Sequence, residues 1–474
     1  MSTQEAVEIG EELRELVGDV ASELWERPEL GLEEHESARL LSEALEEEGF
    51  SVERGVAGLP TAFVAEYGSG EPVIGVLGEY DALPEMSQTV AARKEPVESG
   101  APGHGCGHDL FAAGSLGGAI GAKRAIEEAG IEGTVRFYGT PAEELGVGKV
   151  YMARDGLFDD LSAAISWHPG WLASATRGSC LAVDSLHVTF EGTASHAAAV
   201  PEAGRSALDA LHLLDTGIEF MREHVPDSAR LHYAVTGGGG APNVVPAEAS
   251  GLYYVRAESR EEVGRLTAWI EEAAEGAAMM TQTEATVDLV NSMHELLPNE
   301  TLADRVEEAM ASVGSVGFDE EDHAFAAELQ STLDPETVES AVAAAGLEEE
   351  VEEGLRGTAL ADEPVRTEGD EGVGSYSTDV GDVSWVVPTA QFRAPTWPVG
   401  TPAHSWQAVA AGGDFGRQAA VYAARVIATT AIDLLADPET LAAAREEFEE
   451  RRGEREYETA MTGAPPADRS ELPY

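Results

Sequence analysis

Residues 72–81 read PVIGVLGEYD, an apolar run that ends on a glutamate, a tyrosine and an aspartate. Such a run is typical of a strand that is buried in a parallel sheet. After a stretch rich in Pro, Gly and Ser, residues 109–129 have the small and apolar composition of a packed helix. Two further apolar segments, 134–144 and 163–169, again run into loops. Strands that alternate with helices predict an α/β fold with a mixed, largely parallel sheet flanked by helices.

The 474 residues are too many for one ordinary compact domain. Residues 181–293 show the order β-α-β-β-α-β, which predicts an inserted ferredoxin-like α+β lid or dimerisation domain. Residues 1–180 and 294–450 would then form the two parts of the catalytic domain. Its second part begins with 294–372, which are acidic, Ala-rich and helix-prone. Residues 451–474 are polar and contain a Pro-rich stretch, so we expect them to be disordered.

The charge is strongly negative, with 88 acidic against 29 basic residues and a formal net charge of −59. Nucleic acid and anionic membranes are excluded as main partners, because both bind clustered Lys and Arg. Disorder is rejected since the apolar content is normal. Adaptation to high salt explains the acidity better, because salt screens self-repulsion. The lysines support it, since the chain has only Lys94, Lys123 and Lys149.

The location predicted from sequence is the high-salt cytosol of a halophile. Cys106 and Cys180 are the only cysteines, which gives no disulfide framework. The N-terminal segment is acidic and amphipathic, unlike a signal peptide. No apolar stretch reaches the roughly 20 residues that span a bilayer.

A cysteine and two histidines lie among glycines in PGHGCGHDL, residues 102–110. Glycines allow close backbone approach, so the Cys106 thiol and the His108 imidazole can face one centre. This pair suits zinc, or manganese where carboxylates help. A nucleophilic Cys–His pair and a buried free cysteine remain alternatives.

Four other segments place polar side chains after apolar, strand-like runs. GEYDALPE contains Asp81, GTPAEELG contains Glu143 and Glu144, SWHPG contains His168, and VGTPAHS contains His404. The last follows DVSWVVPTAQFRAP (382–395), which predicts another strand. Each has a plain interpretation alone: a turn aspartate, solvated acids, structural histidines. Together they indicate one site, because such sites collect at the carboxyl ends of strands.

These motifs, in this order, resemble the dinuclear metallopeptidase and amidohydrolase family. It includes aminoacylases, carboxypeptidase G-like enzymes, hippurate hydrolase and plant indoleacetyl-amino-acid hydrolases. The resemblance covers about residues 10–436. GEYDALP with SYSTDVGDVSWVVPT (375–389) looks closest to the branch of p-aminobenzoyl-glutamate hydrolase B subunits.

The resemblance implies two divalent metal ions, zinc or manganese, in each subunit. The implied ligands are Cys106 as the bridge with His108, Glu144, His168 and His404. Glu143 would be the general base and Asp81 would orient His108. Where many members have a histidine ligand, this chain has Glu79, which is expected to bind no metal. His104 is expected to donate a hydrogen bond from behind the metal ligands and not to bind a metal itself.

In the lid, the resemblance implies that His196 reaches across a dimer to stabilise the oxyanion. Asn243 and Arg256 would hold the substrate carboxylate, since arginine binds carboxylates through two hydrogen bonds. His196 also fits a plain turn histidine, and Arg256 an ordinary strand-edge arginine.

The function predicted is metal-dependent hydrolysis of the amide bond of N-acyl or N-aroyl amino acids, p-aminobenzoyl-glutamate-like. Alternatives are a metallo-exopeptidase or aminoacylase acting on small peptides, and a partner-dependent subunit of a hetero-oligomeric hydrolase. A cysteine-nucleophile hydrolase and a salt-adapted binding protein are the other rivals. A homodimer through the lid domain is expected, or a hetero-oligomer with a homologous subunit.

Overall fold

The computed structural model describes residues 7–8, 10–367 and 372–473. The strands are β1 (Ser51–Arg54), β2 (Phe63–Ser69), β3 (Val73–Gly78), β4 (Gly133–Gly139), β5 (Ala163–Gly170), β6 (Ser174–Ala175), β7 (Ser179–Cys180), β8 (Ala182–Glu191), β9 (Arg230–Gly237), β10 (Glu248–Ala257), β11 (Glu284–Met293), β12 (Val373–Gly374) and β13 (Thr389–Pro395).

The α-helices are α1 (Glu11–Glu26), α2 (His35–Glu47), α3 (His108–Ala129), α4 (Gly148–Arg154), α5 (Ala207–Met221), α6 (Arg260–Thr281), α7 (Glu300–Val313), α8 (Glu320–Gln330), α9 (Pro335–Ala343), α10 (Glu349–Leu355), α11 (Val380–Ser384), α12 (Trp406–Ala410), α13 (Asp414–Ala436) and α14 (Pro438–Arg452).

The larger sheet has seven strands in the order β1-β2-β4-β3-β5-β13-β6. The four central strands, β4, β3, β5 and β13, are mutually parallel, and the outer strands pair antiparallel. Val76 of β3 belongs to the core that includes α3 and α13, while its neighbour Leu77 belongs to the core on the other face. Burial of both faces explains why these strands are continuous apolar runs. The predicted fold class is confirmed.

A second sheet has four antiparallel strands in the order β11-β8-β10-β9, and its strands lie within residues 182–293. Helices α5 and α6 pack on one face of it around their own hydrophobic cluster. The chain order of this unit is β8-α5-β9-β10-α6-β11.

The acidic segment forms helices α7 to α10, and its residues 368–371 lie outside the described residues. Helix α7 packs against α13 and β13. Val342 of α9 and Leu355 of α10 belong to a small apolar cluster with Leu172 and Val399. The segment therefore lies beside the carboxyl ends of β5 and β13.

Residues 382–384, predicted as strand, are the end of helix α11, and the strand β13 begins only at Thr389. Val380 and Val383 are three residues apart and are both buried in the second core. Their shared face, with Pro388 directly before β13, accounts for a helix that stops ahead of the strand.

The segment after α14, expected to be disordered, instead lies along the catalytic domain. The Tyr457 hydroxyl donates to Asp382 at 2.9 Å. Met461 is buried in the second core. The Arg154 guanidinium donates to the carbonyls of Met461 and Gly463. The segment is held by the side chains of Tyr457 and Met461 and by hydrogen bonds from Arg154 to its carbonyls. Its polar composition gives no sign of these contacts, which is why disorder was predicted.

After His404 the chain forms two helices, α12 and α13, which are separated at residues 411–413. In the described chain, α13 is the one helix long and apolar enough to cross a membrane. Most of its apolar stretch is buried against α3, α1 and α7. It is a core helix of this fold.

Candidate metal centre

Side chains from four segments converge at the carboxyl ends of the parallel strands. Cys106 and His108 lie at the start of α3, and Glu143 and Glu144 lie in a 3-10 turn directly after β4. His168 belongs to β5, and His404 lies in the loop between β13 and α12. We call these residues the donor cluster: Cys106, His108, Glu143, Glu144, His168 and His404.

Close packing requires glycine in the turn before α3. Gly107 has φ +78°, and a Cβ there would lie 2.9 Å from the Pro169 side chain. The carbonyl of Gly105 accepts from the His404 N–H at 2.8 Å. His404 itself has φ +57°, a left-handed conformation that is uncommon for a side chain. These contacts fix the two loops that carry Cys106 and His404 against each other.

The orientation of His108 is set by its hydrogen bonds. Its Nδ1–H donates to Oδ1 of Asp81 at 2.8 Å, and Oδ2 of Asp81 accepts from the Glu144 N–H at 2.9 Å. Nε2 of His108 is buried and makes no hydrogen bond to any described residue. It faces Oε2 of Glu79 at 3.2 Å and Oε2 of Glu143 at 4.0 Å. A buried ring nitrogen that faces carboxylates is placed as a metal ligand would be.

The Cys106 sulfur lies 3.4 Å from Nε2 of His168. Nδ1 of His168 lies 2.7 Å from the Pro169 carbonyl, so Nδ1–H donates and Nε2 keeps its lone pair toward the thiol. On the other side, Nε2 of His404 lies 3.3 Å from Oε1 of Glu144.

Two groups of possible ligand atoms share Cys106. One contains Cys106, His108 and His168; the other contains Cys106, Glu144 and His404. In each group the ligand atoms lie within 4.8 Å of one another. A thiolate common to two such groups can bridge two cations. One sulfur, three imidazole nitrogens and carboxylate oxygens fit a pair of borderline divalent cations.

Burial dominates the electrostatics of the cluster. It raises the pKa of the Cys106 thiol, and the Glu144 charge raises it further. Burial also raises the pKa of Glu143 well above its usual range, helped by Glu79 and Glu144. Burial and the His108 charge lower the pKa of His168 to about 3. A nucleophilic pair needs a thiolate, and the raised pKa of the Cys106 thiol opposes its formation.

Behind the donor cluster lies a second buried group, which sequence reasoning missed. Lys149 is fully buried, and its Nζ lies 2.8 Å from Oε1 of Glu79 and 2.5 Å from Oδ1 of Asp379. The Lys149 N–H also donates to Oδ2 of Asp379 at 2.9 Å. We call Glu79, Lys149 and Asp379 the lysine cluster. With one oxygen held by Lys149, Glu79 has only Oε2 directed at the donor cluster.

A cavity of about 850 Å³ opens from the donor cluster. Trp171, Tyr376 and Arg393 line it from the catalytic domain, and Tyr254 and Arg256 line it from the inserted domain. Arg256 was predicted from sequence, whereas Arg393 was not. The only available signal for Arg393 was a single charge inside an apolar strand.

Three other predicted residues lie apart from this cavity. His196 and Asn243 are exposed on the inserted domain, where the Ala197 N–H donates to the Asn243 carbonyl at 3.0 Å. Within one copy of the chain neither lines the cavity, so their roles stay predictions. His104 is buried, with Nε2 3.2 Å from the Leu24 carbonyl.

The peptidase family M20/M25/M40 model matches residues 75–467. The chain belongs to this family. It is 41% identical to the B subunit of p-aminobenzoyl-glutamate hydrolase of Escherichia coli, over 92% of each chain. It is 31% identical to Xaa-Arg dipeptidase of Mus musculus, over 94% of this chain and 91% of that one.

Among solved structures, aminobenzoyl-glutamate utilization protein from Klebsiella pneumoniae matches with a TM-score of 0.60 and 18% identity. The match covers 90% of this chain and 98% of that one, and it shows the fold. This M20 protein is therefore a metal-dependent hydrolase that acts on amide bonds, and the resemblance inferred from its motifs is confirmed.

Proposed function

We propose that this chain hydrolyses the amide bond of N-acyl or N-aroyl amino acids, with p-aminobenzoyl-glutamate as the model substrate. The observation that carries the proposal is the Cys106 thiol, shared by two ligand groups, with the Glu143 carboxyl beside them at the cavity. The 41% identity to one subunit of a p-aminobenzoyl-glutamate hydrolase supports the substrate class.

Two zinc or manganese ions held by Cys106, His108, Glu144, His168 and His404 would lower the pKa of the attacking water and polarise the amide carbonyl. The protein residues do the remaining work. Asp81 holds His108 in the tautomer that turns Nε2 to the centre.

Glu143 is the proton carrier. It is a cavity-lining acid, and burial raises the pKa of its carboxyl, which favours uptake of a proton. It accepts a proton from the water that attacks the amide carbon, and it returns that proton to the amine as the C–N bond breaks. His196, from a second copy, would donate to the developing oxyanion.

The variant Glu143→Gln tests this role. It should bind as much metal as the wild type and lose roughly 100- to 10,000-fold in kcat, because only proton transfer is removed. Elemental analysis and hydrolysis of p-aminobenzoyl-glutamate are the measurements. Glu132→Gln, at an exposed position before β4, is the matched control. Full turnover by Glu143→Gln would refute the proposal.

An exopeptidase acting on small peptides is the second candidate. The 31% identity to a mouse Xaa-Arg dipeptidase over nearly the whole chain favours it. A panel that includes dipeptides ending in arginine separates the two, because cleavage of those dipeptides in preference to N-aroyl amino acids would select this candidate.

For assembly we propose a dimer through the inserted domain, with either a second copy or a homologous subunit. Phe220, Met279 and Met280 are 71%, 81% and 67% exposed there, more apolar surface than a solvated helix normally presents. The Escherichia coli relative is one of the subunits of its hydrolase, which supports the second form. Light scattering of the purified chain distinguishes a monomer from a homodimer.

We further propose that the protein works in the high-salt cytosol of a halophile. The net charge of −59 makes self-repulsion large, and molar salt screens it. The melting temperature should rise by several degrees between low and molar KCl. A melt that does not change with KCl would contradict this.

A further inference from the structure

Strand β11 of the inserted domain contains a bulge beside the cavity. Val290 is left out of the pairing between β11 and β8. Side chains alternate along a strand, and Val287 packs in the cluster under α5 and α6, so regular alternation would turn Asn291 toward those helices as well. The extra residue reverses the alternation. Ser292 instead accepts from the Arg260 guanidinium of α6 at 3.0 Å, and Asn291 lines the cavity.

The carboxamide of Asn291 has one end bonded and the other end without a partner. Its Nδ2 donates to the Leu145 carbonyl at 2.6 Å. A carbonyl can only accept, so the NH2 end faces Leu145 and Oδ1 is left for another donor. Asn291 is only 7% exposed, and its Oδ1 is buried with no hydrogen-bond partner among the described residues. A buried acceptor of this kind costs free energy unless a donor reaches it.

The bond to Leu145 places Asn291 next to the turn that carries the general base. Leu145 is the last residue of the 3-10 turn that begins with Glu143 and Glu144. Gly146 follows with φ +64°, and a Cβ there would lie 3.2 Å from Nδ2 of Asn291. The turn and the strand are therefore closely packed, and the carboxamide has a fixed position beside the turn.

An amide substrate brings the donor that Oδ1 of Asn291 lacks. The scissile bond of an N-acyl amino acid has one N–H, which can only donate, and one carbonyl, which can only accept. Among the cavity groups, Glu143 and Glu144 are already used for proton transfer and metal binding in the proposed mechanism. Asn291 is a neutral acceptor in the same cavity, and it suits an uncharged N–H without adding to the negative charge there.

We propose that Asn291 is a further catalytic residue, whose Oδ1 accepts the N–H of the scissile amide while its Nδ2 holds the turn that carries Glu143. This inference rests on the proposed amide hydrolysis. The N–H stays on the nitrogen as the C–N bond breaks, and the nitrogen lone pair, directed away from Oδ1, takes the proton that Glu143 returns. The amine leaves with both hydrogens, and one carboxamide has positioned both partners of the proton transfer.

Replacing the N–H of the substrate by oxygen tests the contact. The two substrates are p-aminobenzoyl-glutamate and the ester that has an oxygen in place of its amide N–H. Asn291→Leu removes the carboxamide at similar volume. Asn291→Ala removes it without filling the space and serves as the second variant if the leucine protein folds poorly. Thr286→Val, at an exposed position of the same strand, is the matched control.

In Asn291→Leu, kcat/KM for the amide should fall roughly tenfold or more further than kcat/KM for the ester, because only the amide loses a hydrogen bond. Asn291→Ala should show the same difference between the substrates, and Thr286→Val should match the wild type on both. An equal loss on amide and ester in the two Asn291 variants would overturn the proposal, because it would make Asn291 only a support for the turn.

Calorimetry separates this inference from the proposed function, because binding needs no turnover. Glu143→Gln should bind the amide roughly tenfold or more tightly than the ester, and adding Asn291→Leu should remove most of that preference. If the wild type hydrolyses no amide but these affinities are found, the proposed function fails and the Asn291 contact stands. If amides are hydrolysed and the preference is the same with and without Asn291, the contact fails and the proposed function stands.

Discussion

The lysine cluster and the donor cluster lie next to each other at one edge of the same sheet, yet they handle buried charge differently. In the lysine cluster, Lys149 contacts both Glu79 and Asp379, so the chain supplies its own cation. In the donor cluster, sulfur, nitrogen and carboxylate atoms face one another without a lysine or arginine within ion-pair distance among the described residues. The lysine cluster is therefore structural support, whereas the donor cluster needs cations from outside the chain.

His108 connects the two clusters. Its Nε2 is 3.2 Å from Glu79 and belongs to a ligand group with Cys106, while its Nδ1 is fixed by Asp81. Lys149 offsets the charge of Glu79 and so keeps this carboxylate in place behind the histidine. The lysine cluster therefore supports the donor cluster. Substitutions in the two clusters should have separable effects.

Removal of metal should give the largest effect and should act on the donor cluster alone. Dialysis against a chelator is expected to lower kcat roughly a thousandfold or more, because the metals supply several kcal/mol of transition-state stabilisation. Zinc or manganese should restore activity. Chelator-insensitive hydrolysis would show that the donor cluster works without metal, and it would favour a thiol nucleophile.

Lys149→Met should have the largest effect on stability. It leaves Glu79 and Asp379 as unpaired buried acids, at a cost of about 3–5 kcal/mol in unfolding free energy. Lys123→Met is the matched control, because Lys123 makes longer contacts of 3.5 and 3.6 Å near the surface. That variant should lose less than about 1 kcal/mol.

Denaturant unfolding in molar KCl measures both lysine variants. Adding Glu79→Gln to Lys149→Met should recover part of the loss, since one uncompensated acid is removed. If Lys149→Met were as stable as Lys123→Met, Lys149 would not be offsetting the buried charges of Glu79 and Asp379.

Asp382 shows a third way to accommodate a buried acid, by retaining its proton. Burial raises its pKa to about 7, although hydrogen bonds from Tyr457 and His294 oppose the rise. Asp379 and Arg260 are the other charged groups near it. The unfolded value is near 3.8, so the folded state binds the proton more tightly. Its contribution to stability is full below about pH 4 and is lost as the pH rises through about 7.

Asp382→Asn should therefore remove this pH dependence. Between pH 5 and 8 the wild type should lose roughly 2 kcal/mol of unfolding free energy relative to the variant. Unfolding curves of the two proteins at each pH give the difference directly. A difference that stays constant, or that changes in the opposite direction, would contradict a protonated Asp382.

Much of the fold was predictable because local composition and tertiary burial agree. The strands around residues 72–81 and 163–169 are buried on both faces, and their sequences are accordingly apolar throughout. Residues 382–384 were mispredicted because a short buried helix and a buried strand have the same apolar composition. The segment after α14 was mispredicted because Tyr457 and Met461 are isolated apolar anchors in a polar stretch.

The donor cluster was predictable in composition because its members follow strands whose ends meet at one edge. Lys149 was harder to find, since its partners Glu79 and Asp379 are distant in sequence and only folding brings them together. The rarity of lysine in this chain was the available signal. Arg393 looked like an ordinary strand residue until its neighbours proved to be buried and its side chain to line the cavity.

The metal content and activity of Cys106→Ala test whether Cys106 is a shared metal ligand, with Cys180→Ala as the control because Cys180 is buried in the second core. If Cys106 is the ligand shared by two cations, the variant should lose most of the bound metal together with turnover, while Cys180→Ala keeps both. A Cys106→Ala protein that retains two metal ions per chain and loses only turnover would exclude Cys106 as a shared ligand and identify the thiol as the nucleophile.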